Sequence, residues 1–255
     1  MCLAKSMFYF LTKTFWENPW LVTAFLTTLL AIIFARYVTV AYLYNYILRA
    51  ITKSTYNIYK EKGSQIKKEL KWSFLSSVVF CVYGGFSFWA YQQGWTKIYV
   101  EVSAYPLWYF VLSIFILLLI YETYYYWLHR WMHLPSVFRV VHKVHHESIH
   151  STVFTSFSFH PLEAILQSMF FPIVIFLMPL HYAVLIIVLT LMTISAVINH
   201  SGIEIFHNRI VLKNLIGSSH HHLHHTQFKS NFGLYFTWWD KWMKTEAKTT
   251  PTSNP

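Results

Sequence analysis

PLEAILQSMFFPIVIFLMPLHYAVLIIVLTLMTISAVINH occupies residues 161–200, and its reading decides the fold. From Pro161 to about Ile198 it is almost wholly apolar. At ~1.5 Å per residue, one helix of that length would be nearly twice the ~30 Å thickness of a bilayer's hydrocarbon core. Pro179 lies near its centre, followed by His181. The run predicts two helices folded into a hairpin, with a tight turn at Met178-Pro179-Leu180. Two crossings return the chain to the side it left, so the polar segments before and after the hairpin share one membrane face.

Three apolar runs precede the hairpin. Trp20 to about Leu48 is interrupted by Arg36 and Asn45; there the arginine is expected to snorkel or to mark a helix end. Trp72 to Trp95 is long enough to cross the hydrocarbon. It has aromatics at both ends, as membrane interfaces favour, and Gly84-Gly85 near its middle invites close helix packing. Pro106 to about Tyr126 holds the purest apolar stretch, Val111 to Ile120. Residues 1–19 read as a short interfacial helix, residues 49–71 as a basic loop, and Thr249 to Pro255 as disordered. The chain is 55% hydrophobic and only 12% charged, against ~25% charged in a typical soluble domain. The fold class is therefore an all-α integral membrane protein with about four transmembrane helices (two plus a hairpin) and a cytoplasmic helical cap.

All 15 histidines lie between His129 and His225. Counting crossings puts His129 to His160, His200 and everything after it on the same side as loop 49–71. That side carries 16 of the Lys and Arg residues, the other only Lys5, Lys13 and Lys97. The positive-inside rule makes the histidine-bearing side cytoplasmic. His181 alone falls on the opposite side, as a loop residue.

Spacing sorts the histidines. His129 and His133 are i, i+4; His142, His145 and His146 are i, i+3, i+4; His221, His224 and His225 repeat that pattern. On helices such residues are neighbours on one face, and a neutral imidazole is the commonest metal-ligating side chain. The stretch SHHHLHH, residues 219–225, is internal and interrupted by Leu223, unlike an affinity tag. Eight imidazoles exceed the four of a closed zinc site and suit two metals with positions left open. Their spacing does not distinguish iron from zinc, copper or nickel. His222 points off the ligand face if the box is helical and reads as a surface or interhelical hydrogen-bonding residue; His150 and His207 have no spacing partner and read as polar surface residues.

HRWMH at 129–133, HKVHH at 142–146 and HHHLHH at 220–225, in this order among apolar spans, resemble the three histidine boxes of the fatty acid hydroxylase/sterol desaturase superfamily. FHPLE at 159–163, NHSGIE at 199–204 and NFGLYFTWWDKW at 231–242 match as well. The resemblance covers roughly residues 105–245. It implies a catalytic region over 105–245, an N-terminal membrane region of two spans and a basic cytoplasmic loop over 1–104, and a disordered tail over 246–255. It also implies two iron ions, with O2 as co-substrate, oxidising an unactivated C–H bond of a lipid such as a sterol or fatty acyl chain, by hydroxylation or desaturation. The ligands it implies are His129, His133, His142, His145, His146, His200, His221, His224 and His225. Some family members carry HxxxH where this chain has His200 and Glu204. Glu204 is thus a candidate ligand, a partner orienting a histidine, or a helix-end carboxylate. His160, His220 and Asp240 are further candidates for a supporting or additional ligand role, Asp240 by fixing a histidine or a basic side chain.

Partners follow from what is missing. No flavin, NAD, haem or iron–sulfur signature occurs, so the resemblance implies a separate electron donor of cytochrome b5 or ferredoxin type, for which the basic face offers a docking surface. Cys2 and Cys81 cannot build a disulfide framework or a cysteine zinc site. No nucleic-acid motif is present; the net charge of +10 fits an anionic cytoplasmic leaflet. No removable signal peptide is expected. The membrane would be the endoplasmic reticulum in a eukaryote and the inner membrane in a bacterium. A histidine-rich metal-binding or metal-transport protein is the alternative, but a transporter places its ligands near the bilayer midplane, whereas these clusters lie just outside the spans.

Overall fold

The computed structural model describes residues 14–52, 62–204 and 214–247. Most of the residues assigned to the N-terminal interfacial helix, part of the basic loop, His207 and most of the tail lie outside them. The helices are α1 (Pro19–Thr52), α2 (Gly63–Gln92), α3 (Leu107–Met132), α4 (Pro135–Val141), α5 (Lys143–His146), α6 (Pro161–Ser168), α7 (Phe170–Leu177), α8 (Tyr182–Asn199), α9 (Ser218–Gln227) and α10 (Trp238–Trp242). Among the described residues, α1, α2, α3 and α8 are long and apolar enough to cross a membrane; the number is the expected four, but it is made of three helices before the hairpin and the hairpin's second arm rather than of two plus a hairpin.

The hairpin forms about its expected turn, with one difference. Its first arm is split into α6 and α7. Pro172 has no N–H to donate, and its ring crowds the carbonyl four residues back, at Ser168, where α6 ends. The split arm, Pro161–Leu177, is shorter than the four long helices. At the turn, β1 (Ile98–Tyr99) pairs in parallel with β2 (Leu180–His181), a contact without a sequence signal.

That end of the bundle is tied by short polar contacts. Tyr109 Oη donates to the Pro179 carbonyl at 2.7 Å, and Lys97 Nζ donates to that of Leu177 at 3.0 Å. His181 is buried here. Its Nδ1 accepts from the Ala183 amide at 3.1 Å while Nε2–H donates to Val100 O at 2.8 Å. It caps α8 from strand β2 rather than sitting in an open loop, and it is far from the other histidines, as the crossing count requires.

The opposite end holds everything else. α1 and α2 meet where the glycine pair predicts: a Cβ on Gly85 would lie 2.9 Å from Leu26 Cδ2. Arg36 is not at the end of α1; it is half-buried well inside that helix, with its Nε shielded from solvent. Tyr37 stacks on Phe157 at 4.7 Å and donates to the Phe154 carbonyl at 2.8 Å. The start of α2 grips the segment after the second histidine box: buried Glu69 accepts from Ser148, Thr152 and Thr155 hydroxyls at 2.6–2.8 Å. A buried carboxylate is tolerable when donors satisfy its oxygens. Basic residues 62–71 and the boxes therefore share one end, while Lys97 lies at the other.

Candidate metal centre

Four stretches deliver imidazoles to this end. His129 is in the last turn of α3 and His133 caps it; His142 joins α4 to α5, which carries His145 and His146; His200 caps α8; α9 carries His221, His224 and His225. The same nine converge in two groups. His129, His133, His142, His146 and His224 form one, here called site A; His145, His200, His221 and His225 form the other, site B. Within each group the candidate donor atoms lie within 4.8 Å of one another.

Helical spacing explains the sorting. Each i, i+4 pair stays in one site: His129 with His133 and His142 with His146 in A, His221 with His225 in B. The i+3 member of each HxxHH box crosses over, His145 to B and His224 to A. A box therefore does not serve one ion, as a shared helix face suggests. His200 completes site B.

The inner nitrogens lie at coordination spacing. In site A, Nε2 separations are 3.1 Å for His129–His142, His142–His146, His146–His224 and His224–His133. In site B they are 3.2 Å for His145–His200, 3.0 Å for His200–His221 and 3.2 Å for His221–His225. Two nitrogens ~2.1 Å from one ion are ~3.0 Å apart at a right angle and ~3.4 Å apart at the tetrahedral angle. The separations fit right-angled neighbours better than tetrahedral ones.

The outer nitrogens fix the tautomers. Nδ1–H donates to a backbone carbonyl from His129 (Phe232, 2.9 Å), His224 (Ser230, 2.7 Å) and His200 (Ala196, 2.7 Å). With the proton held outside, each Nε2 lone pair points inward, as metal-bound histidines require. Facing lone pairs repel unless a cation lies between them, so the donor set fits metal. Eight of the nine imidazoles are buried, with His133 partly exposed. Burial and neighbouring imidazoles hold His142, His145, His146, His221, His224 and His225 well below the usual histidine pKa. Burial lowers His200 to about 4, and burial together with His224 lowers His133 to about 2. The neutral form that binds metal is the favoured one.

The supporting candidates fall elsewhere. Glu204 lies in neither group; it accepts from the Ser219 amide at 2.9 Å at the start of α9. This is the helix-end alternative, an anion at a positive helix terminus. His160 accepts from the Leu162 amide at 3.3 Å as the N-cap of α6 and faces Trp72. His220 lies outside both groups, its carbonyl accepting from Asn231 at 2.8 Å. Among the described residues, Asp240 bonds neither a histidine nor a basic side chain. It accepts from the Phe232 and Gly233 amides at 2.8 and 3.0 Å and from Thr245 Oγ1 at 2.8 Å, so it acts one step back, on the loop whose Phe232 carbonyl holds His129. His150 and His222 do find a partner: their rings stack on each other at 5.9 Å.

Sequence reasoning passed over three carboxylates. Glu122 is buried in α3 and accepts from the Leu234 and Tyr235 amides at 3.2 and 2.7 Å, fixing the same loop as Asp240. Glu163 is buried with one oxygen 2.9 Å from His142 Nδ1. Glu69 anchors the segment after the second box. The signal for Glu122 was present, since a lone carboxylate inside an apolar span is by default functional.

The fatty acid hydroxylase family model matches residues 114–245. The chain is similar to the Delta(7)-sterol 5(6)-desaturase of Leptosphaeria maculans, 31% identical over 195 residues that cover 76% of this chain and 54% of that protein. It is similar to the lathosterol oxidase of Homo sapiens, 34% identical over 151 residues covering 58% and 50%. It spans about half the length of these curated relatives. No solved structure matches it. With three histidine boxes at one end of an apolar helix bundle and a family match over half its length, the chain belongs to the fatty acid hydroxylase/sterol desaturase superfamily.

Proposed function

We propose that this chain is a membrane-bound lipid oxygenase. The observation that carries the reading is the double imidazole group, five nitrogens in site A and four in site B. Both sets are incomplete for a six-coordinate ion, which leaves positions for O2 and favours catalysis over a closed structural site. His129, His133, His142, His146 and His224 would hold one iron, and His145, His200, His221 and His225 the other. Two irons bound there would supply O2 activation and removal of hydrogen from an unactivated C–H bond. The chain's own residues orient and shield. Carbonyls of Phe232, Ser230 and Ala196 aim the Nε2 atoms of His129, His224 and His200 inward, and burial favours neutral imidazoles and excludes bulk water.

The substrate is a lipid reached from the bilayer. The names of the similar proteins, sterol desaturase and lathosterol oxidase, favour a sterol-type lipid over a fatty acyl chain, with either desaturation or hydroxylation as outcome. Electrons come from a separate donor of cytochrome b5 or ferredoxin type. The basic residues at the histidine end support a cytoplasmic orientation and a docking face for an acidic donor, in the endoplasmic reticulum or a bacterial inner membrane. A metal transporter would hold its ligands midway along interrupted helices; here they gather at one end.

Lipid profiling tests the reading. The chain is expressed with a reductase and donor and compared with His145→Ala/His146→Ala. A sterol or other lipid that gains oxygen or loses two hydrogens only with the unaltered chain is expected. Identical lipid profiles would refute the activity.

A further inference from the structure

The structure assigns Glu163 as a positioning residue that makes the two metal sites unequal, binding site A more firmly than site B. This rests on the di-metal reading above. Glu163 is fully buried, with Oε1 2.9 Å from Nδ1 of His142. The same oxygen accepts from Gln167 Nε2 at 3.0 Å. Glu163 sits in the first turn of α6, after Pro161, where the helix terminus favours a negative group.

His142 is one of the site A imidazoles with two close neighbours, its Nε2 lying 3.1 Å from those of both His129 and His146. A carboxylate on the outer nitrogen makes an imidazole a stronger donor and fixes its ring. Site B has no counterpart. Among the described residues no carboxylate pairs with His145, His200, His221 or His225, and the outer nitrogen of His200 meets only the neutral Ala196 carbonyl. Site A thus has one more imidazole and, among the described residues, the one imidazole whose outer nitrogen lies beside a carboxylate. Sequence order hides the pairing, because Glu163 follows His142 only after an intervening loop and a new helix.

The test measures metal release from the purified full chain in nanodiscs, loaded anaerobically with ferrous iron and mixed with a chelator. Two equal phases are expected. His133→Ala should speed the slow phase and His145→Ala the fast one, which assigns each phase to its site. Glu163→Gln preserves shape and an acceptor oxygen but removes the ionisable carboxyl group. It should speed the slow phase ~10–100-fold, the usual effect of losing such a partner, and leave the fast phase unchanged. Glu163→Asp keeps the carboxyl group one methylene further away and should fall between, which also serves if the glutamine variant does not fold. A slow phase unchanged in Glu163→Gln, or both phases sped alike, would overturn the inference. A chain that binds fewer than two irons would overturn the di-metal reading instead.

Discussion

Lowering the pH should dismantle the metal-free centre before the membrane helices. His133, His142, His145, His146, His200, His221, His224 and His225 are all held below the ordinary histidine value. Below the ~6.5 of an unfolded histidine, the unfolded state takes up protons that the folded state refuses. Stability is therefore intact above pH ~6.5 and is lost as pH falls, down to the folded values, about 4 for His200 and about 2 for His133. At pH 5.5 a group that stays neutral in the folded state withdraws on the order of 1 kcal/mol. The imidazoles are coupled and do not add independently, but a few of them together already reach a large share of the ~5–15 kcal/mol that holds a typical protein together. The assay is a thermal melt of the metal-free chain in nanodiscs at pH 7.5, 6.5 and 5.5. A steep fall in Tm below 6.5, moved to lower pH by bound metal, is expected. A melt unchanged between pH 7.5 and 5.5 would show that the imidazoles are not packed neutral and would refute the reasoning.

Other substitutions separate the support from the ligands. Asp240→Ala strips the Phe232 and Gly233 amides of their acceptor; metal affinity should fall ~10–100-fold although no ligand is touched, as titration with a competing chelator will read. Gly233→Ala places a Cβ 2.6 Å from the Phe236 carbonyl and 3.0 Å from Glu122, so the loop must shift and metal content should drop by more than half in elemental analysis. Glu204→Gln should retain both metals, because Glu204 caps α9; loss of one metal per chain would restore it as a ligand.

The layout of the site was legible because its chemistry is local and repeated. Helical spacing marks the boxes, and crossing number with charge bias brings them to one end. The partition between sites was not legible. It depends on how three short helices are set against one another, and i+3 residues such as His145 and His224 cross between sites only once that packing exists. Two of the carboxylates were missed for a related reason. Glu69 and Glu163 meet their partners only across intervening elements, and there a charge in sequence carries no sign of its burial, whereas Glu122 stood out inside an apolar span. The break at Pro172 shortened a hairpin arm that composition alone ran continuously.

Iron content measured together with Mössbauer spectroscopy on anaerobically purified chain tests the central claim most directly. Two irons per chain in distinct nitrogen-rich environments, coupled to each other and lost in His145→Ala/His146→Ala, are the expected result. A single mononuclear zinc, with no O2-dependent lipid product, would contradict it.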